Sequence, residues 1–313
     1  MKKSLIALSV LAGVVGIAHA NETTLYGSMA HSVVVAKKDN GSSKNNLDLD
    51  RSVARFGIRG NEDLSSGLQA FYRFEFDVTD DGIYGDASQN KGATRFAYLG
   101  LKGDFGTVTL GRQNTLFKEA TSFNDNFQDV YFKYHHGPNR LSKVISYVSP
   151  DMSGFTIGAS AVLDGDNSVM KNSDSKGIDA WEAAAFYKAN GIFAGAAYQS
   201  RDIGKKTEKY YGGSIGYKDD STFKVGLGYE KQDKADSYYN LAGEYYLGDN
   251  TFRAGFGYKD NKGKNDDWFE YALGYQYNLS KRTYTWVEGS YYDPRAKGKD
   301  ENYKVVVGVR HDF

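Results

Sequence analysis

The sequence predicts an all-β fold, an antiparallel transmembrane β-barrel of about 16 strands in a single domain. Three observations predict this fold. Segments of about 8 to 12 residues alternate between apolar and polar side chains. Short and long polar connectors alternate between these segments, and an N-terminal secretory signal precedes them. A soluble β-sheet protein would share the alternation, so the fold class rests on the three observations together.

The N-terminal segment MKKSLIALSVLAGVVGIAHA, residues 1 to 20, has the pattern of a signal peptide. Two lysines precede an apolar run, and AHA at the end is a small-x-small cleavage motif. We expect cleavage before Asn21, so that residues 21 to 313 form the barrel domain. No later stretch approaches the roughly 18 apolar residues that a membrane-spanning helix requires.

The segment RSVARFGIRG, residues 51 to 60, illustrates the alternation. At a side-chain period of two, Arg51, Arg55 and Arg59 share one face of a strand and an apolar row shares the other. That apolar row consists of Ala54, Phe56 and Ile58. LQAFYRFEFDV, from residue 68, and NYKVVVGVRHDF, from residue 302, have the same two kinds of face. We expect the charged faces to line a water-filled lumen and the apolar faces to contact lipid.

The connectors determine the expected number of strands. Seven short connectors rich in turn residues alternate with eight longer polar ones. The short ones fall at 61–67, 103–106, 149–154, 190–191, 218–221, 248–250 and 278–281. The longer ones fall at 37–49, 79–92, 114–139, 164–178, 202–208, 233–236, 260–266 and 294–300. This series predicts roughly 16 strands, with both chain termini at the end of the barrel that has the short turns.

A sheet of this size is expected to close, because open edges expose unpaired backbone groups that promote aggregation. In lipid the argument is stronger, since each unpaired backbone group costs several kcal/mol there. A secreted, soluble β-sandwich or solenoid would show similar alternation, and the pattern alone leaves that alternative open. Tyrosine and phenylalanine at the strand ends, where aromatic girdles form, favour the membrane barrel.

The composition excludes several kinds of site. The chain has no cysteine, which excludes disulfides, thiolate chemistry and cysteine metal sites. Its 39 basic and 39 acidic residues become 37 and 39 when the two lysines of the signal are removed, which leaves a net charge of −2. A chain without a basic excess gives no support to a nucleic-acid partner.

Two histidines in the longest connector invite an enzymatic or metal-binding interpretation, which the sequence does not support. His135 and His136 are adjacent, without the third ligand and the spacing of a zinc site. A pairing of His136 with Ser142 lacks a nucleophile motif such as G-x-S-x-G. We therefore expect no metal, no cofactor and no enzymatic activity.

Five stretches distributed over the mature chain have a characteristic order and spacing. They are TLYGSMA, VARFGIRGNEDLSSGLQAFYRFEF, TRFAYLGLKGDFGTVTLGRQ, SYVSPDMSGFTIGASA and VGVRHDF, which begin at residues 24, 53, 94, 146 and 307. In these stretches the chain resembles the general porins of the Gram-negative outer membrane. The resemblance implies a homotrimer of 16-stranded barrels, each with its third long loop folded into the lumen as a constriction. It further implies passive diffusion of ions and small hydrophilic solutes.

The resemblance also implies partners and constriction residues. The partners are outer-membrane lipid, lipopolysaccharide and the barrel-assembly machinery, whose recognition signal resembles the closing Phe313. The wall arginines implied by motif are Arg55, Arg95, Arg112 and Arg140, with Arg51, Arg59 and Arg73 on the same charged faces. Loop position and charge assign the facing carboxylates to Glu119, Asp125 and Asp129. The loop lacks the PEFGG motif of enterobacterial porins, and Ser28 stands where those relatives often have lysine.

Several alternatives stay open at this level. The arginines could be salt-bridge partners without a part in selection, and the three acids could be ordinary exposed loop residues. A solute-specific porin, for example for oligosaccharides, would need aromatic rungs along the path. The tyrosines available for such rungs are Tyr131, Tyr134, Tyr210, Tyr211, Tyr238, Tyr239, Tyr245 and Tyr246. A structural or adhesive surface barrel is a third possibility, although the loops contain no repeats.

Overall fold

The computed structural model describes residues 22–37, 45–78, 94–130, 136–163, 177–204, 206–262, 267–295 and 301–313. The expected signal peptide, residues 1 to 20, lies outside them. Sixteen strands form a closed barrel with antiparallel neighbours, which confirms the predicted fold class. The strands are β1 (Glu22–Lys37), β2 (Asn45–Asp63), β3 (Gln69–Asp77), β4 (Thr94–Gly103), β5 (Gly106–Asn114), β6 (Arg140–Val148), β7 (Phe155–Leu163), β8 (Ile178–Ala189), β9 (Ile192–Ile203), β10 (Lys206–Lys218), β11 (Phe223–Gln232), β12 (Asp236–Leu247), β13 (Asn250–Asn261), β14 (Trp268–Asn278), β15 (Thr283–Pro294) and β16 (Asn302–Asp312).

The barrel closes between its first and last strands. β1 pairs with β16, beginning with Ser28 opposite Asp312. Beside this ladder the amide N–H of Gly27 donates to the carbonyl of Phe313, and the amide N–H of Phe313 donates to the carbonyl of Gly27, both at 3.0 Å. A Cβ at Gly27 would come within 2.2 Å of the Phe313 ring. The absence of a side chain at residue 27 therefore lets the last residue pack against the first strand.

Side chains alternate between the lumen and the outer surface, as the sequence predicts. Arg55 of β2 faces the lumen, where it lies opposite Asp77 of β3. The outer surface is apolar and exposed, with Met29 at 56%, Leu99 at 55% and Ile157 at 57% of full exposure. In an aqueous protein such side chains would be buried, so this surface is typical of one that contacts lipid.

The connectors lie where the sequence places them, and those at 149–154 and 190–191 have the predicted bounds. The largest difference is the first long connector, predicted at 37–49. There β1 continues to Lys37 and β2 already begins at Asn45, and the two strands stay paired. This segment is rich in polar residues, so an alternating hydrophobic pattern does not reveal the strand ends there.

The long connector between β5 and β6 contains the helix α1 (Leu116–Thr121). Thr115 caps it, since its Oγ1 accepts a hydrogen bond from the amide N–H of Lys118 at 3.0 Å. The helix packs on the inner side of β8, β9 and β10. A Cβ at Gly195 would come 2.9 Å from the Cα of Ala120, so glycine permits the close approach of helix and wall. No helix in the described ranges is long and apolar enough to span a membrane.

The tip of the same connector packs against another part of the inner wall, away from α1. Phe127 and Val130 are buried in a cluster with wall residues of β1, β12, β14 and β16. The wall residues of this cluster are Val34, Ala36, Ala242, Ala272 and Val306. The connector, called the inner loop below, thus follows the wall from β8 round to β1, and the inner face of β2–β6 lies opposite it.

Candidate functional site

Four arginines gather on the inner face of β2–β6, and we refer to them as the arginine cluster. Its members are Arg55, Arg73, Arg95 and Arg140. Arg55 Nε lies 3.1 Å from Asp77 Oδ1, and Arg95 Nε lies 2.6 Å from Glu75 Oε1. Arg73 Nη2 lies 2.6 Å from Glu75 Oε2. Three guanidinium groups therefore pair with two carboxylates, and Arg140 adds a fourth positive charge nearby, which leaves the cluster with a surplus of two positive charges.

Aromatic rings hold the guanidinium groups of the cluster in place. The Phe96 ring lies between two of them, with its centroid 4.0 Å from Cζ of Arg73 and 4.9 Å from Cζ of Arg140. The Tyr26 hydroxyl accepts a hydrogen bond from Arg73 Nε at 2.7 Å and donates one to Glu75 Oε2 at 2.8 Å. Cation–π contact and hydrogen bonds together fix the positions of the charges before any ion arrives.

Of the three further arginines expected in the wall, the structure places two elsewhere. Arg112 pairs with Ala97 in the outward row, and its guanidinium donates to the Thr94 carbonyl and to Ser142 Oγ, both at 2.9 Å. The structure therefore does not bring Arg112 into the cluster. Arg59 faces the lumen closer to the short-turn end of β2, beside the ring of Tyr26. The side chain of Arg51 lies outside what the structure describes.

The three acids expected on the loop lie in two places. Glu119 and Asp125 are exposed on the inner loop, and both act electrostatically on Lys118. Asp129 lies against the wall instead, where its carboxylate accepts a hydrogen bond from Ser32 Oγ of β1 at 3.0 Å. The structure therefore leaves two of the expected carboxylates beside the lumen water and moves the third to the anchored tip.

Lys118 of α1 is a charged residue of the inner loop that the sequence did not single out. Burial and the positive charges of Arg140 and Arg95 lower its pKa, while the carboxylates of Asp125 and Glu119 act in the opposite direction. The loop therefore presents a cation to the arginine cluster, in addition to its acids. This arrangement adds to the positive surplus of the channel.

A second set of charged residues lies under the inner loop, and we refer to it as the glutamate wall. It consists of Glu182 on β8, Glu230 on β11 and Glu288 on β15, which are 3%, 0% and 1% exposed. A carboxylate so deeply buried is tolerated only when hydrogen bonds or opposite charges compensate the loss of water. Here the compensation comes largely from the backbone of the inner loop.

Glu182 binds the start of α1. Its Oε2 accepts from the amide N–H of Leu116 at 2.9 Å and from Ser160 Oγ at 2.7 Å. Its Oε1 accepts from the amide N–H of Phe117 at 3.3 Å and from Gln199 Nε2 at 2.7 Å. Four donors around one carboxylate attach the beginning of the loop to β7, β8 and β9.

Glu288 and Glu230 bind the rest of the loop. Glu288 Oε1 accepts from the amide N–H of Gln128 at 2.8 Å, and Oε2 accepts from the amide N–H of Asp129 at 2.9 Å. Glu230 Oε2 accepts from the amide N–H of His136 at 2.7 Å. The loop is therefore attached at its beginning, its tip and its return to β6.

Sequence reasoning missed the glutamate wall, although one signal was present. Each of the three glutamates is the single acid within a run of apolar and small residues, in WEAAAFY, VGLGYE and WVEGSYY. Period-two alternation places each of them on the lumen face. Within each of these runs the glutamate is the one charged residue of the lumen face, which indicates a buried partner, and a long loop supplies backbone donors.

His136, which the sequence analysis considered for a metal or hydrolase site, lies buried near Asp236. His136 Nδ1 lies 3.8 Å from Asp236 Oδ1, and Lys259 Nζ lies 2.5 Å from Asp236 Oδ2. Ser142 accepts its hydrogen bond from Arg112, and His135 lies outside the described residues. Within the ranges that the structure describes, no group of three or more His, Cys, Asp or Glu side chains is arranged to hold a metal ion.

Known proteins share this architecture. The family model described as Gram-negative porin matches residues 7–297. The major outer membrane protein P.IB of Neisseria meningitidis is 28% identical over 351 residues, and the monosaccharide porin of a Halomonas species is 26% identical over 373. Both alignments cover 100% of both chains. The solved structure of the anion-selective porin from Comamonas acidovorans has a TM-score of 0.71 at 22% identity, over 93% of this chain and 99% of that one.

The fold, the lumen and the family match lead to the same conclusion. Porins are channels, and neither the family nor its named relatives support an enzymatic activity. The relatives are proteins of the outer membrane, and the closed barrel has the lipid-facing surface that such a location requires. This chain belongs to the Gram-negative porin family and forms a water-filled channel for passive diffusion through the outer membrane.

Proposed function

We propose that this porin is a general diffusion channel for ions and small hydrophilic solutes that prefers anions, with the arginine cluster as its selectivity element. The observation that carries the proposal is the charge balance of the cluster, in which four guanidinium groups lie beside two carboxylates. Lys118 adds a cation from the opposite side, and Glu119 and Asp125 supply a smaller negative side.

The physical basis is the field across a narrow, low-dielectric passage. Fixed positive charges at the constriction concentrate small anions and exclude small cations, because the walls screen the field less than bulk water does. The acids on the facing loop give the field a transverse direction, which orients polar solutes and disfavours apolar ones. The anion-selective porin from Comamonas acidovorans has a similar fold, which is consistent with an anion preference in this channel.

Removing arginines from the cluster tests the proposal. In the double variant Arg55→Ala with Arg95→Ala the reversal potential under a salt gradient should shift toward cations, because two of the four guanidinium charges are lost while Glu75 and Asp77 stay. The measurement uses purified protein in a planar bilayer. Lys143→Ala is the matched control, since Lys143 is exposed on β6 outside the cluster. An unchanged reversal potential in the folded double variant would remove these arginines from the selectivity element.

A sugar-specific channel is the second candidate, because one relative is a monosaccharide porin. Among the described tyrosines considered as rungs, Tyr246 lines a lumen pocket with Glu119, and its hydroxyl donates to Glu244 Oε2 at 2.6 Å. The others give the candidate little support. Tyr211, Tyr239 and Tyr245 are exposed on the outer surface, and Tyr210 and Tyr238 are 3% and 1% exposed beneath the loop. Tyr131 and Tyr134 lie outside the described residues. Saturable sugar uptake, together with block of the ion current by the same sugar, would favour this candidate over the general channel.

The outer surface supports self-association into a homotrimer. Neighbouring aromatic rings cover the outside of β8–β15 in two runs, from Trp181 to Tyr211 and from Tyr229 to Tyr291. Rings of this kind mark the edges of the lipid layer. The outside of β1–β5 presents aliphatic side chains such as Leu25 and Leu110 together with Phe74 and the stacked rings of Phe56 and Phe76, without a run of rings that long. We infer that β8–β15 contact lipid and lipopolysaccharide and that β1–β5 contact the other copies. A monomeric mass of the active channel in mild detergent would contradict this.

A further inference from the structure

A polar pocket opens on the inner face of β1–β4, between the arginine cluster and the short-turn end of the barrel. Arg59, Arg73, Asn61, Gln69, Thr24 and Tyr98 line it. Short turns lie at the periplasmic end in barrels of this class. Arg59 follows Arg55 by four residues in β2, which corresponds to about 13 Å along the strand. The pocket therefore shares Arg73 with the arginine cluster and extends from it toward the short-turn end of the barrel.

The two arginines of the pocket form an unusual pair. Arg59 lies directly opposite Arg73 across β2 and β3, and like charges in this position destabilise a sheet. Arg73 is compensated by Glu75 and by the Tyr26 hydroxyl. Arg59 has only the ring of Tyr26, whose centroid lies 5.2 Å from its Cζ, and no carboxylate within the described residues forms an ion pair with it.

The neighbourhood of Arg59 suits an anion that also carries hydroxyl groups. Asn61 and Gln69 contribute amides to the lining, and Thr24 and Tyr98 contribute hydroxyl groups. Asp63 lies at the rim, where it accepts a hydrogen bond from Gln69 Nε2 at 2.9 Å. Lys102 of β4 pairs with Gln69 in the strand register, so a cation opposes that carboxylate. Arg59 and Arg73 are the charged residues of the lining, and Glu75 is the ion-pair partner of Arg73.

We propose that this pocket is a binding station for a small oxyanion, the carboxylate or phosphate group of a hydrophilic solute, on the periplasmic side of the constriction. The proposal rests on the anion preference proposed above and adds a site to it. The planar fork of Arg59 matches the two oxygens of such a group, and the bound anion relieves the repulsion between Arg59 and Arg73. Anions that leave the arginine cluster therefore pause at Arg59 before they enter the periplasm.

The test measures how added oxyanions reduce a chloride current through the folded full-length channel in a planar bilayer. Inorganic phosphate is one probe and acetate is the other, and each is added on the periplasmic side. In the unsubstituted channel the reduction should saturate with concentration. In Arg59→Gln the concentration for half of the effect should rise about tenfold, because a charge-assisted hydrogen bond is lost. In Arg59→Lys the rise should be smaller, about threefold, since an ammonium keeps the charge but lacks the planar fork.

Arg310→Gln is the matched control. Arg310 of β16 is ion-paired with Asp312 at 2.8 Å, outside the pocket, and its loss removes the same charge from the lumen. Its half-effect concentration should stay close to that of the unsubstituted channel. A stronger effect of phosphate than of acetate, or the reverse, identifies which oxyanion the station prefers.

Two results would overturn the station. One is a reduction that does not saturate in the unsubstituted channel, and the other is an equal shift in Arg59→Gln and Arg310→Gln, which would indicate a diffuse field. Either result together with a preserved anion preference leaves the proposed function intact. A channel without anion preference would overturn the proposed function itself, and the reversal potential of the same bilayers distinguishes the two failures.

Discussion

The two charged sides of the lumen have opposite signs and opposite relations to water. The arginine cluster is partly open, with the Arg55 side chain 29% exposed and the Asp77 side chain 37% exposed. The glutamate wall is closed, with its three members at most 3% exposed under the inner loop. The carboxylates of the glutamate wall bind the inner loop, whereas the arginine cluster lies on the partly exposed lumen face.

This difference explains how a nearly neutral chain can have a charged passage. A buried carboxylate that accepts several backbone N–H groups has its charge compensated locally, so little of its field reaches the channel. A guanidinium beside water keeps its field available to passing ions. The total charge of the lumen is therefore a poor guide to selectivity, and the exposed surplus is the relevant quantity.

The largest effect on the channel is expected when the glutamate wall is removed. In Glu182→Ala with Glu288→Ala the amide N–H groups of Leu116 and Asp129 lose their acceptors. At about 1.5–3 kcal/mol for each hydrogen bond to a charged group, the loop anchoring falls by several kcal/mol. We expect a larger single-channel conductance with more current noise, because the loop leaves the wall.

The matched control for this variant is Glu301→Ala, which removes an exposed acid that precedes β16. It should leave conductance and noise as they are. A double variant that migrates as a folded barrel and conducts like the unsubstituted channel would show that the hydrophobic tip holds the loop without the glutamates.

A smaller effect is expected from changing the balance inside the arginine cluster. Glu75→Gln removes a carboxylate that lies 2.6 Å from both Arg73 and Arg95. The positive surplus rises by one, so the anion preference should increase, while the free energy of unfolding should fall by about 2 kcal/mol because two guanidinium groups lose a charged partner. Reversal potential and thermal unfolding in detergent measure the two quantities. A weaker anion preference would contradict the proposed role of the cluster.

The smallest effect is expected from Lys118, which lies on the loop but whose positive charge adds to that of the arginine cluster. Its pKa is lowered by burial and by Arg140, so it loses its charge at a lower pH than the ordinary lysine value of about 10.4. The anion preference of the unsubstituted channel should therefore decline as the pH rises into the alkaline range. Lys118→Met should have a slightly lower preference at neutral pH and a flatter pH profile. Parallel pH profiles in the two proteins would remove Lys118 from the field.

Arg95 and Arg112 illustrate how far sequence could predict the site. Motif matching assigns both to the wall, whereas period-two alternation assigns Arg95 to the outward row of Leu99 and Arg112 to that of Leu110. The structure agrees with the motif for Arg95, which reaches Glu75 in the lumen, and with alternation for Arg112, which lies in the outward row. A register shift between β3 and β4 leaves Arg95 as an extra residue and brings its guanidinium to Glu75. One inserted residue exchanges the two faces of a strand, and alternation alone does not locate the insertion.

The fold was more predictable than the loop for a related reason. Strand number, connector order and the two faces of β2 follow from alternation and turn residues, which are local properties of the chain. The position of Lys118 beside Arg140, and of Asp129 beside Ser32, depends on how a mixed-charge segment settles on distant strands. Such a segment has no side-chain periodicity, so the sequence gives the number of its charges but does not predict their positions in the lumen.

The reciprocal backbone pairing of Gly27 with Phe313 has a consequence for biogenesis. A circular sheet acquires its last seam only when β16 is in place, because β16 and β1 are the two sides of that seam. The contact joins points nearly the whole chain apart, which makes it among the slowest to form by diffusion. Until β16 is in place, β1 and β15 therefore keep unpaired edges, and a sheet of the preceding strands stays open.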